Sequence, residues 1–211
     1  MDLERIRREA REFFRDARGS HDWEHTERVF RLCRHIAAAE CADMDVVLAA
    51  ALLHDIGRAE EFRTNGRRCH AAEGAERARE ILRHAGVSEG EAEAVAGCVA
   101  THRFRGGNPP KTPEAKVLYD ADKLDSIGAV GIGRAFLFAG EVGATLHDPA
   151  VDPGATQPYS REDTAYREFL VKLRHVKDRM LTETGRAMAE ERHRFMVGYF
   201  ERLNQEVEGD L

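Results

Sequence analysis

The sequence has no long hydrophobic run and no excess of basic residues. No stretch approaches the roughly 20 apolar residues that span a bilayer, and the N-terminus MDLERIRREAREFF mixes acids with bases where a secretion signal would have an apolar core. Lys and Arg number 32 against 38 Asp and Glu, a net charge of −6, whereas domains that bind duplex nucleic acid are usually basic. We therefore expect a cytoplasmic protein without a membrane or long nucleic acid partner.

Cysteine and proline are also scarce. The spacing of the four cysteines matches neither a CxxC metal motif nor a compact disulfide framework, so we expect reduced thiols that serve in packing. The six prolines lie within residues 109–113 and 149–158, which leaves long proline-free stretches. With 42% apolar and 33% charged residues in 211 positions, the composition is typical of one folded domain. We predict a single all-α domain over residues 1–211.

Apolar residues recur at helical spacing through most of the chain. In the third helix the run from Val46 to Leu53 lacks polar residues, which predicts a helix buried on all sides, and Gly57 is the predicted C-cap. Ser88 and Glu91 form a predicted capping box, and residues 143–160 form a Gly/Pro-rich connection that we expect to be a mobile lid or rim. The predicted helices are near residues 2–17, 22–40, 43–57, 69–85, 88–103, 113–125, 126–141, 161–182 and 185–207.

Histidines and aspartates occur near the ends of successive predicted helices. His25 begins the second helix, the doublet His54-Asp55 ends the third, His70 begins the fourth and His102 ends the fifth. Because consecutive antiparallel helices place these ends together, we expect the side chains to collect at one end of the bundle. On the next helix Asp122 shares the inward face, while Asp120 is expected to point away.

Two less specific interpretations compete with a shared site. An isolated His-Asp pair at a helix end is usually a histidine favoured by the helix dipole beside an exposed aspartate. His21 and His25 with Glu24 between them also satisfy H-x-x-E-H, the inverted zinc-protease motif, in which Glu24 would act as a base. That motif requires a distal third ligand and ignores the remaining histidines and aspartates.

The strings HDWEHTERV, ALLHDIGR, ATHRFRG and YDADKLDSIGAVGIGR resemble the HD-domain metal-dependent phosphohydrolases, in particular a bacterial subgroup that resembles nucleotide pyrophosphohydrolases. The resemblance extends from about residue 20 to 205. It implies an all-α HD-domain helical bundle and one divalent metal held by His25, His54, Asp55 and Asp122.

Two imidazoles and two carboxylates suit Mn²⁺, Fe²⁺, Co²⁺ or Zn²⁺, with Mg²⁺ less favoured because it prefers oxygen. Bound to phosphate and water, such a metal lowers the pKa of water and polarises the phosphoryl oxygen. Asp55 is the expected proton acceptor, with Glu24 as a possible nearby acid. Some relatives use a glutamate just after the HD doublet, but here that stretch is Ile56-Gly57-Arg58.

A small phosphorylated substrate, expected to be a nucleotide, requires cations. Lys123, Arg103 and Arg58 are the preferred candidates. His70 and His102 are predicted substrate-binding residues, with a second metal site and, for His70, a structural role as alternatives. The resemblance favours hydrolysis of (deoxy)nucleoside triphosphates to monophosphate and pyrophosphate. A 5′-nucleotidase, a cyclic-nucleotide phosphodiesterase and a non-catalytic metal- or nucleotide-binding regulator remain alternatives, and the oligomeric state is open.

Overall fold

The structure is a computed structural model that describes residues 1–15, 22–64, 66–104 and 107–211. Within these ranges the regular elements are α-helices and short 3-10 helices, and no β-strand occurs. The predicted all-α class is confirmed. None of the described helices is both long enough and apolar enough to cross a membrane.

Ten α-helices lie within the described residues, and the connection from α8 to α9 is the longest. Their bounds are α1 Leu3–Arg11, α2 Trp23–Glu40, α3 Met44–Leu53, α4 Arg58–Arg63, α5 His70–His84, α6 Glu89–Thr101, α7 Pro113–Leu124, α8 Gly128–Glu141, α9 Ala165–Val171 and α10 Glu183–Glu208. The described residues also form 3-10 helices at Glu12–Phe14, after α1, and at Leu173–Arg179, after α9.

The chain divides into two compact units, Met1–Asp122 and Lys123–Leu211. In the first unit α3 is the central helix, and it packs against α1, α2 and α6. Every residue from Val46 to Leu53 is buried, as the unbroken apolar run predicts. Helices α5 and α6 pack closely against each other. The assignment of the whole chain to a single domain stays a prediction.

Side-chain caps fix where α2, α3 and α6 begin. The Asp22 carboxylate accepts a hydrogen bond from the backbone N–H of His25 over 3.0 Å, which places His25 in the first turn of α2. Asp43 caps α3 in the same way through Val46. The capping box predicted for Ser88 and Glu91 is confirmed at the start of α6.

Gly57 differs from the prediction and matters for the site. It is not a left-handed C-cap, because its φ is −84° and it precedes α4, a helix that the periodicity did not predict. A Cβ at this position would lie 2.3 Å from the carbonyl oxygen of His70 and 2.9 Å from the backbone nitrogen of Gly74. Glycine is required here because the backbone of α5 touches the turn that follows α3.

In the second unit, the predicted helix over 161–182 is wrong. The chain instead forms α9, capped by Thr164, and then the 3-10 helix Leu173–Arg179. The break between them is at Lys172, whose φ and ψ are −139° and −56°. The helix begins late because Asp163 is buried with Arg167, an ion pair of 2.7 Å that fixes the turn before α9.

Residues 143–160 form an irregular segment, as predicted, and Arg167 anchors it. The Arg167 Nε donates to Oγ1 of Thr156 over 2.6 Å, and the Asp163 carboxylate accepts from the backbone N–H of Tyr159 over 2.7 Å. Whether the segment acts as a lid stays a prediction. The four cysteines are free; Cys33 and Cys98 are buried, but Cys41 and Cys69 are exposed, so a packing role for those two is wrong.

Candidate metal centre

Four histidines and two aspartates converge inside the first unit. The histidines are fully buried, Asp55 is 1% exposed, and the Asp122 side chain is 11% exposed. They come from the start of α2, the end of α3 and the following turn, the start of α5, the end of α6 and the last turns of α7. The side chains that were expected to lie close together therefore do so. They are His25, His54, Asp55, His70, His102 and Asp122.

The first cluster contains His25, His54 and Asp122, whose ligand atoms lie within 4.8 Å of one another. The Nε2 atoms of His25 and His54 are 3.2 Å apart, and Asp122 Oδ1 lies 3.4 Å from His25 Nε2. Asp55 Oδ2 is 3.6 Å from both imidazole nitrogens. Both aspartates that the resemblance nominates as ligands thus lie close to the His25 imidazole.

The second cluster contains Asp55, His70 and His102, again within 4.8 Å. The two Nε2 atoms are 3.1 Å apart, and Asp55 Oδ1 lies 3.2 Å from His70 and 3.6 Å from His102. Asp55 therefore directs one oxygen at each cluster.

The chemistry of these groups fits divalent cations. His102 Nδ1 lies 2.7 Å from the carbonyl oxygen of Val99, and His70 Nδ1 lies 2.6 Å from a carboxylate oxygen of Glu61. Both partners accept hydrogen bonds, so each Nδ1 carries a proton, and in the neutral ring each Nε2 presents a lone pair. Two lone pairs facing each other at 3.1 Å repel unless a positive group lies between them, and a metal ion is such a group.

Burial favours the neutral, ligating form of His54 and His70. Desolvation lowers the pKa of His54 to about 3, although the negative charge of Asp55 opposes the shift. Burial also lowers the pKa of His70. Imidazoles that stay neutral at physiological pH are ready to bind a metal without first losing a proton.

Residues 22–127 match the family model of the HD domain. The chain belongs to the HD-domain family. It is 37% identical to the protein YpgQ of Bacillus subtilis over 210 residues, which are 98% of this chain and 94% of YpgQ.

Solved structures agree with this family assignment. In the crystal structure of YpgQ in complex with ADP, the YpgQ chain is 33% identical in sequence to this chain. The match covers 97% of this chain and 94% of the YpgQ chain, with a TM-score of 0.75. An HD-superfamily hydrolase from Bacillus thuringiensis is 27% identical in sequence. The match covers 98% of this chain and 96% of that hydrolase, with a TM-score of 0.76. The chain is accordingly a hydrolase of the HD superfamily.

Two of the predicted substrate cations of this HD-domain protein are engaged in ion pairs. Arg58 Nε donates to Oδ2 of Asp55 over 2.6 Å. Burial opposes the charge on Arg58, but the pairing with Asp55 outweighs it and raises the pKa of the guanidinium. Arg103 donates to Oε1 of Glu61 over 2.5 Å.

Glu61 is a site residue that the sequence analysis missed. Its carboxylate accepts from His70 and Arg103, and although burial opposes ionisation, these hydrogen bonds lower its pKa to about 2. Glu61 follows the HD doublet by six positions on the unpredicted helix α4. The pattern Glu60-Glu61 was visible, but without the orientation of α4 neither acid could be assigned to His70.

Glu24 and Lys123 are the remaining predicted site residues. Glu24 is exposed on the first turn of α2, and Lys123 follows Asp122 on α7 and is partly buried. His21, the other histidine of the H-x-x-E-H interpretation, lies outside the described residues. Asp120, which was expected to point away from the face of Asp122, does not face solvent, because α7 is buried on nearly all sides there and Asp120 is 0% exposed.

Proposed function

We propose that this HD-domain hydrolase converts (deoxy)nucleoside triphosphates into nucleoside monophosphate and pyrophosphate with the help of divalent cations. The observation that supports it most is the pair of buried clusters that offer both imidazole nitrogen and carboxylate oxygen. Asp55 directs Oδ2 at the first cluster and Oδ1 at the second. This set of ligand atoms suits Mn²⁺, Fe²⁺, Co²⁺ or Zn²⁺ better than Mg²⁺. Such a cation, when bound, lowers the pKa of coordinated water and polarises a phosphoryl oxygen.

The proposed ligands of the first cation are His25, His54, Asp55 and Asp122. Asp55, His70 and His102 are the proposed ligands of a second cation, with hydrogen bonding to substrate as the other role of the two histidines. The carboxylate of Asp55 is the proposed acceptor for the proton of the attacking water, and Glu24, at the exposed start of α2, is the second acid proposed for this role.

A nucleotide substrate is supported by the YpgQ structure, in which that relative is in complex with ADP. Arg58, Arg103 and Lys123 are the proposed phosphate-binding cations, since guanidinium and ammonium groups pair with phosphate oxygens. The arginines are already paired with Asp55 and Glu61. A phosphate would therefore share these guanidinium groups with their carboxylates.

A product screen tests the proposal. Purified protein is incubated with ribo- and deoxynucleoside mono-, di- and triphosphates and cyclic nucleotides, each with Mn²⁺, Co²⁺, Zn²⁺ or Mg²⁺, and products are identified by mass. Monophosphate with pyrophosphate from triphosphates is the expected result. Orthophosphate from monophosphates alone would support a 5′-nucleotidase, and ring opening of cyclic nucleotides a phosphodiesterase. Nucleotide binding without turnover under any metal would support a regulatory protein.

A further inference from the structure

Three of the buried histidines have a hydrogen bond at Nδ1 that determines which ring nitrogen carries the proton. His54 Nδ1 lies 2.8 Å from the carbonyl oxygen of Ala51, and His102 Nδ1 lies 2.7 Å from that of Val99. Both histidines directly follow the last residue of a helix, where the carbonyls of the final turn lack an N–H partner within the helix. A carbonyl only accepts, so the proton is on Nδ1 and Nε2 faces the cluster.

His70 cannot use this arrangement, because it is the first residue of α5 and has no helical turn before it. The partner of its Nδ1 is instead Oε2 of Glu61, on α4, at 2.6 Å. The second oxygen of Glu61 accepts from Arg103, which follows His102 just after α6. Glu61 thus joins the two chain segments that carry the histidines of the second cluster.

We propose that Glu61 is a positioning residue that selects the Nε2-ligating tautomer of His70 and thereby completes the second cation site. This proposal rests on the proposed function in that the second cluster holds a cation. A carboxylate bonded to the far nitrogen of a metal-binding histidine orients the ring and increases its basicity. Arg103 holds that carboxylate from the other side and keeps it directed at His70.

Without Glu61 the proton of His70 has another acceptor. Its Nε2 lies 3.2 Å from Oδ1 of Asp55, so a ring protonated at Nε2 would donate to Asp55. The proton would then occupy the Nε2 lone pair of His70, and the hydrogen bond would occupy a lone pair on Oδ1 of Asp55, so neither would be available to a cation. Loss of Glu61 is therefore expected to close the second site while the first keeps its ligands His25, His54 and Asp122.

The first experiment measures the tautomer in metal-free protein from the imidazole ¹⁵N resonances, with His70 assigned through a His70→Asn variant. We expect a protonated Nδ1 in the wild type and a shift toward a protonated Nε2 in Glu61→Ala. Glu61→Gln retains an oxygen that can accept from Nδ1, so it is expected to keep the wild-type tautomer. The matched control is Glu60→Gln, since Glu60 lies on the same helix but pairs with Arg63.

The second experiment counts cations by titrating metal-free protein with Mn²⁺ in a calorimeter. The wild type and Glu60→Gln are expected to bind two ions, and Glu61→Ala to bind the second about 10–100-fold more weakly, with Gln restoring most of the affinity. An unchanged His70 tautomer, or two ions bound with wild-type affinity in Glu61→Ala, would overturn the proposal. Binding of a single ion by the wild type would also overturn the proposal about Glu61. The proposed nucleotide hydrolysis is tested separately by the product screen and would not be affected by that result.

Discussion

Arg58 donates a hydrogen bond from Nε to Oδ2 of Asp55, the carboxylate that faces both clusters, over 2.6 Å. This contact orients a proposed ligand, so we expect Arg58→Met to weaken Mn²⁺ binding by about 10-fold and to recover turnover when Mn²⁺ is raised. The measurement is kcat and KM as a function of Mn²⁺ concentration. Arg63→Met, which removes an exposed arginine of the same helix, is the control. A KM for nucleotide that stays above the wild-type value at saturating Mn²⁺ would show that the proposed phosphate contact of Arg58 outweighs its effect on Asp55.

Removing single ligands should separate the two clusters. We expect Asp55→Ala to lose both cations, Asp122→Ala to lose the first and His102→Ala to lose the second, because Asp55 directs one oxygen at each cluster. Metal content by mass spectrometry and turnover by product assay should fall together. His84→Ala, an exposed histidine at the end of α5, is the control. Wild-type metal content in all three ligand variants would refute the assignment.

The proposed phosphate-binding cations should act mainly on the transition state. Negative charge grows on the departing pyrophosphate, so Lys123→Met and Arg103→Met should lower kcat by about 100-fold while KM rises less. Steady-state kinetics on the triphosphate identified in the screen provides the measurement. Lys116→Met, two turns earlier on α7, should leave both constants near wild type. A larger change in KM than in kcat would indicate ground-state binding only.

The position of bond cleavage can be read from isotope labelling. If water attacks the α-phosphorus, hydrolysis in ¹⁸O-labelled water places the label in the nucleoside monophosphate. Mass spectrometry of both products distinguishes this from attack at the β-phosphorus, which would label pyrophosphate. A control with unhydrolysed substrate in the same water measures any exchange that is independent of turnover.

Arg167 should dominate the stability of the segment before α9. Its ion pair with Asp163 is buried, with the two side chains 8% and 4% exposed, so Arg167→Met leaves an uncompensated buried carboxylate. We expect a loss of about 3–5 kcal/mol in the free energy of unfolding, measured by urea denaturation. Lys172→Met removes the exposed pair with Glu168 and should cost less than about 1 kcal/mol. Equal losses of unfolding free energy in the two variants would show that the buried ion pair stabilises the protein no more than the exposed one.

The sequence predicted the histidine cluster well because helix phase and helix ends are local properties. His25, His54 and His102 could be placed from their neighbours alone, and capping by Asp22 and by the Ser88 box could be recognised from residue types. The contact between Glu61 and His70 depends on how α4 turns against α5, which periodicity does not encode. A short helix of six residues has too few positions to show a face.

The error over residues 161–182 has a different origin. The apolar spacing there does fit a helix, but Asp163 is buried in an ion pair with Arg167, and the chain forms a turn before α9. Such a turn is decided by tertiary packing. The burial of Asp120 has the same origin, since α7 is enclosed on nearly all sides.

Gly57 joins two backbones rather than two side chains. Since a Cβ at Gly57 would lie 2.3 Å from the carbonyl of His70, the turn that carries Asp55 and the start of α5 touch directly, and no rotamer change can alter their spacing. The segments that carry Asp55 and His70 are therefore preorganised, and the protein loses little conformational entropy when a cation binds to them. Thermodynamic coupling between a first and a second ion would then arise from their mutual charge and from the shared carboxylate, so successive binding should be anticooperative.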